Sequence, residues 1–460
     1  MTNVLRQPKG FYRGIFALMI PIILQNLITH TVALTDTFMV GMLGEQYLAA
    51  VAIAVTPQFI LMIFTFGVQS SMGILVAQYW GKGNINTINR VLGIALYATA
   101  IITILGAMLI HSLPHQLLSL VTSDKSLVAL GAPYARITCF AIALNSISLV
   151  YLSCHRSMEN PRLGVIILSI SAVLSIFGNW VLIFGNLGFP ALGIQGAAIA
   201  TLSARIIEVT IVFIHAFRNS RFRVKLGLLL KPGMTIFRDF CKYSLPVLLN
   251  ESLWGFGTMM YPVILGHMTG AQTILAAYNI AGNMERLFAV TMFGCGNATA
   301  VIIGREIGAG RRDRVYSVAK SLMTLGFFLG LGSGALLILT RLTIMEPLVF
   351  PLFGLSQDAA SSATIMLTII AILLPVRTVG FTMGIGLMRG GGDVKRLMLL
   401  DIGTLYGIAL PLAAFTALVL KTGITVVYLT IAFEELVKVT LFYFRVRSRK
   451  WINDVTREQL

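Results

Sequence analysis

Charge is scarce in this 460-residue chain and unevenly signed: 12% of residues are charged, with 18 acids against 35 Lys and Arg. So little polar surface cannot clothe soluble domains, and 57% hydrophobic residues exceed what buried core helices need. Cysteine is rare too. The four, Cys139, Cys154, Cys241 and Cys295, show neither CxxC nor His-paired spacing, which argues against a disulfide frame and a zinc site. The six histidines form no HExxH pattern. Paired catalytic acids at one membrane face are lacking, so a lipid-modifying membrane enzyme is only a remote alternative; the expectation is a non-enzyme without a cofactor. The net charge of +17 does not imply nucleic acid, because the bases are spread over loops with no extramembrane domain to display them. Topology and anionic headgroups explain it better.

What is present is a series of long apolar runs. Stretches of about 20 residues bounded by charge, Gly or Pro predict twelve membrane spans: 15–40, 48–80, 90–112, 127–153, 163–186, 192–217, 240–267, 274–304, 316–340, 359–387, 396–419 and 424–445. Of the basic residues, Lys125, Arg341 and Lys421 fall on one side of the bilayer and Arg136, Arg205, Arg286, Arg377 and Lys438 fall inside spans; the rest gather on the other side. Basic residues accumulate on the cytoplasmic face, which puts both termini there in a multi-pass plasma-membrane protein, expected to be monomeric. Met1 to Arg13 lacks a small-residue cleavage site and the next apolar stretch is too long for a signal peptide, so the first helix is expected to stay.

The spans come in two sets. Leu48-Ala49-Ala50-Val51-Ala52-Ile53-Ala54 returns 227 residues later as Leu275-Ala276-Ala277-Tyr278-Asn279-Ile280-Ala281, and Phe66-Gly67 returns as Phe293-Gly294. Gly81-Lys82-Gly83 answers Gly308-Ala309-Gly310 at the same offset. The expected fold is all-α, with twelve transmembrane helices in two six-helix lobes related by a parallel repeat. The N-lobe covers 1–225, a basic linker 226–237, and the C-lobe with its basic tail 238–460. Such a plan suits transport.

Ionisable groups within a bilayer are costly and mark function by default. Asp36 is the candidate in the first helix, with Gln25 and Thr29 within about 20° of its direction and Pro21 freeing a carbonyl on the same stripe. Glu251 is the candidate in the seventh, between Asn250 and Trp254, with Gly255, Thr258 and Pro262 on its face. At mid-membrane depth such a carboxylate can take up and release a proton; alternatively it pairs structurally with Arg377 or Lys438. Arg205 with Glu208, and Glu435 with Lys438, are spaced to close on themselves. Glu434 is left to face the cavity, Asp401 reads as a helix contact toward the cytoplasm, and Glu285-Arg286 has no assignment. Asn145, Ser175, Asn179, Thr201 and Asn279 are polar at depth, Ser175 and Asn179 one turn apart.

Taken in order, these features resemble the multidrug and toxic compound extrusion (MATE) transporters over essentially the whole chain. The resemblance rests on Pro21, Gln25, Asp36-Thr37 and Gly41, Leu48-Ala49-Ala50, Ala77-Gln78-Tyr79-Trp80-Gly81, Asn179-Trp180, Gly193-Ile194-Gln195-Gly196-Ala197-Ala198, Pro246 with Glu251, and Ile303-Gly304 with Gly308 and Gly310. It implies export of small cationic or amphipathic compounds by alternating access, driven by inward protons or sodium. It implies cation coupling at Asp36, with Ser175, Asn179 and Thr201 in the matching region, and a sodium position at Asp36, Asn179 and Thr201. Some members carry a further aspartate near the Asn179 position. In the C-lobe it implies coupling at Glu251; the aspartate some members have on helix ten is missing, the sequence there reading Pro375-Val376-Arg377-Thr378. A lipid-linked oligosaccharide flippase of the same superfamily is the alternative, although it would need a basic cavity.

Overall fold

A computed structural model describes residues 10–218, 222–352 and 355–457. Arg6, Lys9 and Arg221, counted above among the cytoplasmic bases, lie outside the described residues. Twelve helical spans follow one another. They are α1 (Phe11–Gly41), α2 (Glu45–Gly81), α3 (Ile85–Ser112), α4 (Lys125–Ser157), α5 (Arg162–Phe184), α6 (Gly193–Arg218) and α7 (Met234–Gly266). Then come α8 (Ala271–Phe288 with Val290–Gly308), α9 (Arg312–Val349), α10 (Gln357–Arg389), α11 (Val394–Val419) and α12 (Ile424–Arg447). All but α7, α8 and α12 are each long and apolar enough alone to cross a bilayer. The other three are marked by polarity or a bend: α7 carries Asn250 and Glu251 mid-helix, and α12 carries Glu434, Glu435 and Lys438.

Helix ends follow local chemistry. Asn84 caps α3 by accepting from Thr87 N at 3.0 Å, and Ser356 caps α10 through Ala359 N. Asp124 caps α4, its carboxyl held below the usual carboxylate range by the Ser126 hydroxyl and the Ser126 and Leu127 amides. Gly185 ends α5 at φ 75°, a left-handed turn that favours glycine. The span expected at 274–304 is instead broken by 42° at Ala289. Thr291 Oγ1 donates back to the Phe288 carbonyl there at 3.1 Å, a contact known to bend helices. The span expected to stop at Thr340 runs on to Val349 because Arg341 finds Thr368 and Glu346 as partners within the bundle.

By packing, the chain forms two compact units, one of Leu24–Leu248 and the other of the residues up to Ile23 with Leu249–Arg457. The division passes inside α1 and α7, whereas the repeat boundary read from sequence falls in the linker. In the first unit α2, α3 and α4 close around Ala54, Leu61, Ala107, Cys139 and Ala143. Gln58 to Thr138 at 2.7 Å and Thr65 to Ser146 at 3.0 Å stitch α2 to α4. Leu248 of α7 belongs to this unit and fills the space left by Gly67: a Cβ at Gly67 would lie 2.5 Å from its side chain. The second unit shows the counterpart. Ile15, Leu18, Met19 and Ile22 of α1 join the core formed by α8, α9 and α10, and a Cβ on Gly294 would lie 2.3 Å from Ile23. Gly67 and Gly294, the repeated pair in the sequence, therefore each receive the first helix of the other repeat.

Candidate functional sites

In the unit Leu24–Leu248 the sites are assembled by close approach of α5 and α6. A Cβ on Gly178 would lie 3.0 Å from Ala200, and one on Gly196 would lie 2.3 Å from the Leu182 carbonyl, so the small residues let the helices pack tightly. Asn179 is fully buried there and donates from Nδ2 to Asp36 Oδ1 at 2.5 Å. Its other amide atom, Oδ1, is buried without a hydrogen-bond partner. A carboxylate beside an unsatisfied carbonyl-type oxygen presents negative potential and awaits a donor or a cation. Ser175 is buried one turn before Asn179, and Thr201 is half-buried one turn before Arg205.

The rest of the α1 stripe is elsewhere. Gln25 is eleven residues from Asp36, a rise of about 16 Å along the helix, and its Nε2 donates to the Pro161 carbonyl at 2.5 Å. Thr29 Oγ1 donates back to the Gln25 carbonyl, and Thr29 lines a small open cleft with Ile28, Val32, Leu168, Ser171 and Arg205. Arg205 donates to Ser171 at 3.2 Å and to Glu208 at 2.5 Å, and Glu208 accepts from Asn145. The Arg205–Glu208 pair thus closes as expected, with Asn145 spent on it.

The second unit holds a larger set of charges. Glu251 accepts from Arg389 Nη2 at 2.7 Å, with Arg389 2% and the Glu251 side chain 14% exposed. The partner is not Arg377 or Lys438, as the sequence spacing suggested. Arg389 had been read as a loop cation; it sits instead at the buried, π-helical end of α10, Thr382–Arg389. Arg377 pairs with Glu285 and lies 3.7 Å from Glu435, which gives Glu285 its role and leaves Arg286 exposed. Lys438 Nζ stands 3.0 Å from Glu435, 3.5 Å from Glu434 and 3.8 Å from Asp401. Glu434 is buried and accepts from Thr404 at 2.7 Å; Asp401 accepts from Asn250 Nδ2 at 3.2 Å. Asp401 is therefore part of this cluster rather than a peripheral helix contact. Trp254 is exposed, Thr258 donates to the Gly255 carbonyl and Asn279 to the Leu275 carbonyl, so these three stand outside it. Arg389 and Asp401 were not singled out as site residues, and their partners Glu251 and Asn250 lie 138 and 151 residues away, beyond any helical period.

A helical membrane protein of twelve spans, with buried carboxylates in each half, is a polytopic carrier-like architecture. The comparisons give its family. The MatE family model matches residues 21–181 and 246–415, and the chain belongs to that family. It is 22% identical to the uncharacterized transporter YisQ of Bacillus subtilis, across 98% of this chain and 97% of that one. It is 21% identical to the probable multidrug resistance protein NorM of Thermotoga maritima, across 95% and 93%. Among solved structures, a MOP-superfamily transporter of Pyrococcus furiosus superposes with TM-score 0.85 at 18% identity, covering 97% of both chains; its binding pocket is described as of reversed polarity, suggesting a different function for that protein. The Vibrio cholerae MATE transporter VcmN superposes with TM-score 0.83 at 17% identity, covering 99% of each.

Proposed function

We propose that this chain is a secondary active antiporter that exports small cationic or amphipathic compounds in exchange for inward protons or sodium, its two lobes alternating access. The observation that carries this is Asp36 held at 2.5 Å by a buried Asn179 whose remaining oxygen has no partner. Asp36, Asn179 and Thr201 would take the coupling cation, the carboxylate supplying charge and the neutral oxygens the remaining ligands. The multidrug resistance names of the NorM relatives support the substrate class. At Glu251 the reading favours a proton over sodium: the Arg389 guanidinium at 2.7 Å repels a metal cation but tolerates a proton exchanging on the carboxylate.

On this reading the protein is a monomer in the plasma membrane with both termini in the cytoplasm. The test is efflux of a fluorescent cationic dye from proteoliposomes with the pH and sodium gradients imposed separately. Transport driven by either gradient is expected. Its absence under both, with correctly folded protein, would refute antiport, and transport driven by sodium alone would refute proton coupling at Glu251.

A further inference from the structure

The buried charges on α8, α10, α11 and α12 in the second unit do not balance. Glu285, Asp401, Glu434 and Glu435 are four carboxylates, and the bases within reach of them are Arg377 and Lys438. Glu251 and Arg389 pair with each other and do not change the difference. Arg377 is already engaged by Glu285 and Glu435, and Lys438 makes its one hydrogen bond to Glu435. The excess therefore falls on Asp401 and Glu434, which both approach the Lys438 ammonium and are linked through Thr404: its Oγ1 donates to the Asp401 backbone carbonyl and to the Glu434 carboxylate. Two carboxylates this placed within a membrane-spanning bundle cannot both keep a full charge cheaply.

A second, independent observation points to what relieves them. Asn250 is 4% exposed and its amide lies against Asp401, yet its Oδ1 has no hydrogen-bond partner. With Asp401 ionised, Nδ2 is the atom that donates and Oδ1 is left bare. With a proton on Asp401 Oδ2, the amide can turn over and Oδ1 accepts the new O–H. The wide π-helical turn Leu405–Ala409 begins directly after Thr404, a feature that recurs at functional positions.

We propose that Asp401 and Glu434 form a further proton-binding site, on α11 and α12, that carries one exchangeable proton between them, distinct from Asp36 and from the Glu251–Arg389 pair. Other charged or titratable groups facing it are Glu251 on α7, Lys438 and Glu435 on α12, and Tyr261 on α7, with Arg377 and Glu285 behind Glu435. The ammonium of Lys438 disfavours a metal ion in the same place, and among the described residues no three His, Cys, Asp or Glu side chains are arranged to hold one. The proton comes from bulk water and moves onto a carboxylate oxygen; no other bond is made or broken. The site deepens the antiport reading, but its detection does not require transport.

The experiment is infrared difference spectroscopy of the full chain in liposomes between acid and alkaline buffer, following the carbonyl stretch of protonated carboxyls. The wild type and Asp36→Asn should both show a carboxyl band that changes between the two buffers, and Asp401→Asn with Glu434→Gln should remove part of it. Full retention of the band in that double variant, or its complete loss in Asp36→Asn, would overturn the proposal. The single variants guard against misfolding. Each is as neutral as the protonated acid it replaces, so at least one must fold, and failure of both would itself overturn the proposal. Absence of dye efflux in the wild type would sink the antiport reading while leaving this spectrum unchanged.

Discussion

Glu251→Gln separates a structural ion pair from a working acid more sharply when it is made together with a change at Arg389. In the native chain the Arg389 guanidinium is 2% exposed and donates to Glu251 at 2.7 Å. The amide of Gln keeps the shape but removes the countercharge, and breaking one side of a buried pair costs about 3–5 kcal/mol because the other charge stays in a poor solvent. The lower end, about 3 kcal/mol, applies here, since Glu251 keeps a partly exposed edge. Replacing both, as Glu251→Gln with Arg389→Met, removes the stranded charge and should bring stability back to within about 1 kcal/mol of the wild type. Thermal unfolding of the purified protein in detergent measures the cycle, and dye efflux in the same preparations measures function. The expected result is a destabilised single variant, a stable double variant, and no active efflux from either. A single variant as stable as wild type would refute the energetic argument, and efflux restored in the double variant would return Glu251 to a purely structural role.

Asp36→Asn should abolish coupled efflux at every sodium concentration while leaving the fold intact, because the Asn179 amide can still donate to a neutral side chain; unchanged efflux kinetics would remove Asp36 from the mechanism. Gly294→Ala places a methyl carbon 2.3 Å from Ile23 and should cost about 1–3 kcal/mol in thermal unfolding, with Ile23→Ala recovering part of it. Gln25→Ala strips the Pro161 carbonyl of the 2.5 Å donor it has in the buried start of α5 and should cost about 1–3 kcal/mol, while Asp36-dependent coupling persists; loss of coupling with unchanged stability would put Gln25 back in the ion site.

The sequence made the spans and the repeat legible because both depend on short-range properties: runs of apolar residues and a fixed offset between copies. It also located Asp36 and Asn179, each conspicuous as a polar residue in an apolar helix. It could not pair them with the right distances. Gln25 shares the angular position of Asp36, but angle says nothing of depth, and about 16 Å of helix rise separates the two. The partner of Glu251 was invisible for a different reason. Arg389 is followed by three glycines and further bases, Gly390-Gly391-Gly392 up to Arg396, so composition assigned it to a loop, whereas tertiary packing draws it into the helix end. The bend in α8 had a local signal, Thr291 close behind an aromatic pair of turns, but a hydroxyl that captures a carbonyl cannot be told from one that does not until the chain is folded.

The division of the chain inside α1 and α7 gives the two prolines a common meaning. Pro21 stands two residues before the boundary at Ile23, and Pro246 two residues before the boundary at Leu248. A proline in a helix removes one hydrogen bond and leaves the carbonyl four residues earlier without its donor, here those of Ala17 and Lys242. Each helix is therefore weakest at the turn leading into the point where its packing passes from one unit to the other. Just beyond these points stand Gln25 on α1, and Asn250 with Glu251 on α7. A proline there removes a backbone bond from α1 and from α7 without touching the packed side chains of either unit. Both carboxylates lie on the C-terminal side of these prolines, Asp36 held by Asn179 and Glu251 by Arg389.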